Sequence, residues 1–203
     1  VEATLRDYPG DDIAYLVQQG YPLIWAVGFV TSEAVTACAR HYPGVTFVVV
    51  DAYEEGELPK NVIRVVFRED EGALLAGFVA SRCTQTGHVG FVGGKRIPVI
   101  ERFERGFKEG VKQSDDCGVH CAYTDSFVSY AAGRKAALRL IGDRCDVLFH
   151  AAGGCGKGVI REVSDAGLRA IGCDIDQGFL APGTVITSVV KRLDDVVPSL
   201  LTE

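Results

Sequence analysis

Methionine is missing from all 203 residues, and no charged-then-apolar leader opens the chain. A processed chain, or a piece of a longer one, is the reading those absences favour. Long apolar runs are missing too. The longest, such as Val45–Val50, fall far short of the roughly 20 residues that carry a helix across a bilayer. Cationic excess is absent: 21 Lys and Arg stand against 27 Asp and Glu, a net charge of −6. No basic stripe offers the phosphate-binding footprint of a nucleic-acid partner. Several enzyme signatures are lacking as well: there is no G-x-S-x-G elbow, no H-E-x-x-H helix and no dense acidic cluster for a metal. What remains is an ordinary globular composition, 47% hydrophobic and 24% charged. It suffices for one large domain or two small lobes with real cores.

The seven cysteines are Cys38, Cys83, Cys117, Cys121, Cys145, Cys155 and Cys173. An odd number leaves at least one thiol unpaired and leans towards a reducing compartment or an anaerobic source. Cys117 and Cys121, with His120 between them, look like half of a metal site. No second ligand pair stands at suitable spacing. Structural thiols are the simpler reading, and neither a metal nor another cofactor is expected.

Apolar, β-branched runs alternate with helix-like segments along the whole chain. Leu23–Val27, Thr46–Val50, Val62–Phe67, Val89–Val92, Val119–Tyr123, Val147–His150 and Ala170–Cys173 read as strands. They are short and almost continuously apolar, the pattern of strands buried on both faces. Helices are expected over Asp12–Gln19, Ser32–His41, Glu69–Arg82, Ile100–Lys112, Ser129–Ile141, Lys157–Ala166 and Ser188–Leu200. Such alternation predicts an α/β fold with parallel sheets built from right-handed crossovers. The polar stretch Arg82–Gly87 is the best candidate for a change of lobe.

Open α/β sheets bind ligands beyond the carboxyl ends of their strands. Those ends carry Gly28-Phe29, Asp51, Gly93-Gly94, Asp125-Ser126-Phe127, Ala151-Ala152-Gly153-Gly154 and Asp174: a small, polar mouth open to backbone approach. The Gly153–Gly158 stretch matches neither the P-loop nor the dinucleotide fingerprint. It serves tight turning and close packing, backbone contact to a neutral ligand, or phosphate binding. Asp51 and Asp174 are candidate acceptors for a diol, two oxygens for two hydroxyls, and equally candidate turn or helix-cap residues. Of four histidines only His150 lies at a strand's carboxyl end, and a packed role is the simpler one for it. No catalytic residues are expected.

Several segments, in order, resemble the basic-membrane-protein family of substrate-binding lipoproteins, whose characterised members include purine nucleoside receptors. They are Gln19–Phe29, Tyr42–Asp51, Phe67–Gly72 with Ala76-Gly77, Gly90–Gly94, Ile97-Pro98, Phe103–Phe107, Ala151–Gly154, Ile171–Gln177 and Thr187–Arg192. The resemblance implies a type I periplasmic-binding-protein fold of two Rossmann-like lobes. Residues 1–86 would form part of the first lobe, 87–178 the second, and 179–203 a hinge return towards the first. The family's first βαβ unit would precede Val1, and a segment completing the first lobe would follow Glu203. The resemblance also implies ligand contacts at Gly28, Phe29, Asp51, Phe127, Gly153, Asp174 and Lys191. Phe127 would be the second-lobe ring against the base, Asp174 the acid for the ribose hydroxyls, and Lys191 a hinge-region lysine touching the ligand or pairing with Asp174. Ser129 and Cys155 depart from the family pattern.

The function so implied is capture of a purine nucleoside for import by an ABC transporter permease. The protein would be extracytoplasmic, tied to the membrane only through a lipid anchor outside this chain. Two other readings stay open: a cytoplasmic ligand-sensing regulatory domain on the same fold, and a Rossmann-like nucleoside or nucleotide enzyme.

Overall fold

The structure, a computed structural model, describes residues 9–52, 57–114 and 116–201. It falls into two compact units, Val1–Phe67 and Arg68–Glu203. The ends of the expected lobe ranges, 1–8 and 202–203, lie outside the described residues.

The first unit runs α1 (Pro9–Gln18), β1 (Leu23–Val27), α2 (Ser32–His41), β2 (Thr46–Val50) and β3 (Val62–Val65). Its three strands pair in parallel in the order β1-β2-β3. The central strand β2 is buried from Phe47 to Val50. Ile13, Ile24, Val35, Phe47 and Val49 meet in the unit's core, so the β-branched run makes a strand because both of its faces are covered. Asn61 fastens the entry to β3: its side-chain amide donates to the carbonyls of Ala39, Tyr42 and Val45 at 3.1, 3.1 and 2.8 Å.

The second unit contains α3 (Glu69–Cys83), β4 (His88–Gly93), α4 (Pro98–Val111), β5 (Gly118–Tyr123), α5 (Tyr130–Gly142), β6 (Val147–Ala151), α6 (Cys155–Asp165), β7 (Arg169–Asp174), β8 (Val185–Val190) and α7 (Leu193–Leu201). All five strands are parallel, in the order β5-β4-β6-β7-β8. Phe91, Phe107 and Phe149 stack with centroids 5.4–6.1 Å apart, and Phe103 joins Phe149 at 6.1 Å. Leu140, Leu148, Val159, Ile160 and Val163 form a further buried cluster with α5 and α6.

Both helix pairs close through glycine. A Cβ on Gly110 of α4 would fall 1.9 Å from the Leu74 carbonyl oxygen of α3, and one on Gly106 would fall 2.1 Å from that of Asp70. Gly133 of α5 approaches the Cys155 carbonyl of α6 in the same way, at 1.9 Å. Backbone meets backbone at these points, which side chains would forbid. The sequence division assigns α3 to the first lobe; in the structure α3 packs on α4 in the second unit.

Two elements differ from the sequence reading. Ser188–Leu200 does not form one helix. Val185–Val190 is strand β8, paired with β7, and only Leu193–Leu201 is helical. The β-branched run Val185-Ile186-Thr187 carries the strand, and the edge position leaves it half-exposed. The third strand also stops at Val65 instead of reaching Phe67.

Candidate functional site

In the second unit the strand order reverses at β4, which sits between β5 and β6. Such switch points open a crevice beyond the strands' carboxyl ends. Gly94 leaves β4 here and donates its N–H to the Ala151 carbonyl of β6 at 3.0 Å. The ring of Phe127 is seated on this point. A Cβ on Gly94 would lie 2.2 Å from Phe127 Cε1, and one on Gly153 would lie 3.1 Å from the Phe127 carbonyl oxygen. The Gly154 N–H donates to that same carbonyl at 2.8 Å. Glycines at 94, 153 and 154 therefore make the floor on which the loop and ring of Phe127 rest.

Cys155 supports the loop from below, its thiol donating to the Ser126 carbonyl at 3.3 Å. Ser129 caps α5 by accepting from the Ala132 N–H at 3.2 Å, which accounts chemically for a serine there. The rest of the glycine-rich turn packs. A Cβ on Gly156 would collide with the His150 ring at 2.0 Å, and one on Gly158 would collide with the Tyr130 carbonyl at 2.1 Å.

His150 is buried, and burial holds its pKa below the ordinary histidine value. Its Nε2 lies 2.8 Å from the Gln177 side-chain oxygen, which also accepts from the Cys173 N–H at 3.0 Å. The imidazole is a packed strut beneath the mouth.

Asp174 ends β7 in the left-handed region, φ 68°, so its carboxylate leaves the strand axis at a sharp turn. Lys191 follows β8. Its backbone N–H donates to the Asp174 carbonyl at 2.9 Å, and its Nζ stands 3.5 Å from Asp174 Oδ1 and 3.8 Å from Glu69 Oε1. The ammonium also lies 5.6 Å from the centre of the Phe103 ring, within cation–π range. Glu69 is 2% exposed at the start of α3, with Arg102 Nε 3.5 Å from its Oε2. Arg102 Nη2 continues to Asp70 at 3.1 Å. Burial alone would raise the Asp70 pKa, but Arg102 beside it, backbone donors and Arg105 bring it below the ordinary value.

A second cluster closes the carboxyl end of β5. The Tyr123 hydroxyl donates to Glu104, Lys108 Nζ donates to the same carboxylate at 2.5 Å, and the Arg96 guanidinium lies 4.1 Å over the Tyr123 ring. Burial and Glu104 both push the Tyr123 pKa up, so this hydroxyl acts as a donor.

In the first unit Gly28 leaves β1 at φ 100° and donates to Val50 O at 3.1 Å. Phe29 opens a 3₁₀ turn to Thr31, whose hydroxyl donates back to the Gly28 carbonyl at 2.8 Å. Asp51 leaves β2 at φ 66°, its N–H donating to Val65 O at 2.9 Å.

Phe127, Gly153, Asp174 and Lys191 thus share one end of one sheet, while Gly28, Phe29 and Asp51 share the equivalent end of the other. Reading the sequence missed Glu69, Arg102, Tyr123 and Arg96. The strand-end rule could have found Tyr123, which closes β5, and Glu69 lies within the family-like stretch Phe67–Gly72. Among the described residues no group of three or more His, Cys, Asp or Glu could hold a metal, and all seven cysteines are free thiols.

These units have the architecture of type I periplasmic-binding proteins. Among solved structures, the chain resembles an ABC transporter system solute-binding protein from Aeropyrum pernix K1 with a TM-score of 0.85 and 27% identity, over 96% of this chain and 57% of that one. It also resembles a transcriptional activator of the comK gene from Bacillus halodurans, with a TM-score of 0.77 and 27% identity, over 92% of this chain and 64% of that one.

Residues 4–203 match the Bmp family model, described as ABC transporter substrate-binding protein PnrA-like; the chain belongs to this family. Basic membrane protein D of Borreliella burgdorferi (strain JD1) is 38% identical over 202 residues, 98% of this chain and 59% of that protein. The chain therefore spans little more than half the length of such relatives.

Proposed function

We propose that this chain captures a purine nucleoside as part of an extracytoplasmic substrate-binding lipoprotein that delivers it to an ABC transporter permease. The observation behind this reading is the Phe127 ring, seated on Gly94 and Gly153 at the switch point of the second sheet. A planar base stacks well on such a ring, contributing on the order of 1 kcal/mol beyond its buried area. Asp174, half-exposed at the same sheet end, offers a carboxylate to the sugar's hydroxyls, and Gly153 lets backbone approach. Gly28, Phe29 and Asp51 are the first unit's proposed contacts. Binding with no reaction is the proposed activity.

The test is titration calorimetry of the intact, ligand-stripped protein with inosine, guanosine and adenosine. The expected outcome is a Kd on the order of micromolar or tighter for at least one, weakened about tenfold or more in Phe127→Ala. No heat with any purine nucleoside refutes the ligand. The alternative, a cytoplasmic ligand-sensing domain, is motivated by the seven cysteines alone and is not favoured by the family match. Cell fractionation separates the two locations.

A further inference from the structure

We propose that Glu69 is a positioning residue: its buried carboxylate draws the Lys191 ammonium back from Asp174, so that Asp174 keeps an oxygen for the ligand's diol. The proposal rests on the nucleoside reading above and adds to it a residue that does not itself touch the ligand.

Three observations carry it. Glu69 is 2% exposed, and a carboxylate that deep is costly unless paired. Its two oxygens are divided between two cations: Oε1 lies 3.8 Å from Lys191 Nζ and Oε2 lies 3.5 Å from Arg102 Nε. Its place at the first turn of α3 adds the favourable end of the helix dipole. Second, Lys191 is held from three sides. Its side chain is 11% exposed, Asp174 Oδ1 is 3.5 Å away and the Phe103 ring centre is 5.6 Å away. An ammonium shared between two carboxylates commits fully to neither. Third, the contacts on Asp174 fall on one oxygen: the Cys173 thiol approaches Oδ1 at 3.6 Å, the same atom that faces Lys191. Oδ2 is then the oxygen turned to ligand hydroxyls.

The chain Asp174–Lys191–Glu69–Arg102–Asp70 alternates in sign from the strand ends to the α3–α4 pair. Remove the charge at Glu69 and Lys191 loses the anion that faces it across from Asp174. It then closes on Asp174 and competes with the diol for both oxygens. The site keeps its stacking surface but loses its preference for ribose.

The test compares the intact wild-type protein with Glu69→Gln, which keeps the shape and deletes the charge. Calorimetry with inosine and with 2′,3′-dideoxyinosine reads the diol directly. Expected is a loss of about tenfold or more in inosine affinity, the share of one charge-assisted hydrogen bond, with dideoxyinosine changed less than about twofold. Equal losses for both ligands, or no loss for either, overturn the proposal. If wild type binds no nucleoside, the ligand reading fails by itself. The tether is then judged from the acetylation rate of the Lys191 amine, followed by mass spectrometry of the digested protein. A rate raised in Glu69→Gln upholds it, and an unchanged rate overturns it. Where Glu69→Gln does not fold, Glu69→Asp draws the carboxylate back by one methylene, away from Lys191, and the same two readouts apply with the same signs and a smaller size.

Discussion

Gly94→Ala tests the seat of the Phe127 ring without touching the ring itself. The added Cβ would fall 2.2 Å from Phe127 Cε1 and 2.5 Å from Cδ1. Carbon atoms settle about 3.5–4.0 Å apart, so the ring has to withdraw by about 1.3 Å or more. Gly94 has no positive φ to strain, and alanine keeps its N–H bond to Ala151 O, so the perturbation is confined to this contact. Overpacking of this kind costs about 1–3 kcal/mol of stability. Stacking of a base on an aromatic side chain is worth about 1–3 kcal/mol, or roughly fivefold to a hundredfold in affinity.

The expected outcome is a folded protein with a modestly lower Tm and purine nucleoside binding weakened within that range by calorimetry. A double-mutant cycle sharpens the result. In a Phe127→Ala background there is no ring to displace, and Gly94→Ala should leave the remaining affinity almost unchanged. Wild-type affinity in Gly94→Ala, or an equal loss with and without the ring, would refute the idea that the purine rests on Phe127.

Two further outcomes concern stability. Asp146 accepts from Thr84 Oγ1 at 2.5 Å and from the Gln85 and Thr86 N–H groups at 2.6 and 3.1 Å; burial pushes its pKa up, but these donors outweigh burial and hold it below the ordinary value. A lowered carboxyl pKa gives stability that is present above the unfolded pKa of about 3.9 and lost as pH falls through the folded value. Asp146→Asn should therefore lower Tm by a few degrees at neutral pH and converge with wild type in strong acid, as read by thermal unfolding across pH. Gly110→Val puts a Cβ 1.9 Å from the Leu74 carbonyl oxygen, where neither backbone can yield. A loss above about 3 kcal/mol in denaturant unfolding, or failure to fold, is expected. Gly44→Ala, with nothing within 4 Å, serves as the control.

The strands were legible where they are buried on both faces. Val147–His150 shows an unbroken apolar run because β6 lies between β4 and β7 under helices. Strand β8 was not, because an edge strand is half-exposed. Its Val189-Val190, followed by charges and Val196-Val197, also mimics a helical period. Had β8 been read as a strand, the carboxyl-end rule would have picked out Lys191 by position alone. Glu69 lay beyond local reading. It stands among Glu69, Asp70 and Glu71, an acidic first turn like many others. Only the packing of α3 against α4 and β8, where Gly72 meets Val189, singles it out. The polar stretch 82–87 was legible as punctuation but not as the turn that Asp146 ties to the start of β6.

Asp51 and Asp174 both sit in the left-handed backbone region, at φ 66° and 68°. Asp, Asn and Gly enter that region most readily, and other side chains are rarer there. Evolution at these two proposed contacts is therefore channelled by the backbone before any ligand has its say. From an aspartate codon, one base change reaches asparagine or glycine. A carboxylate can thus become an amide or bare backbone in a single step, with the turn intact. Alanine would weigh the turn's strain together with the lost carboxylate. The turns that hold the strand ends open also set the alphabet in which new ligand preferences can be written.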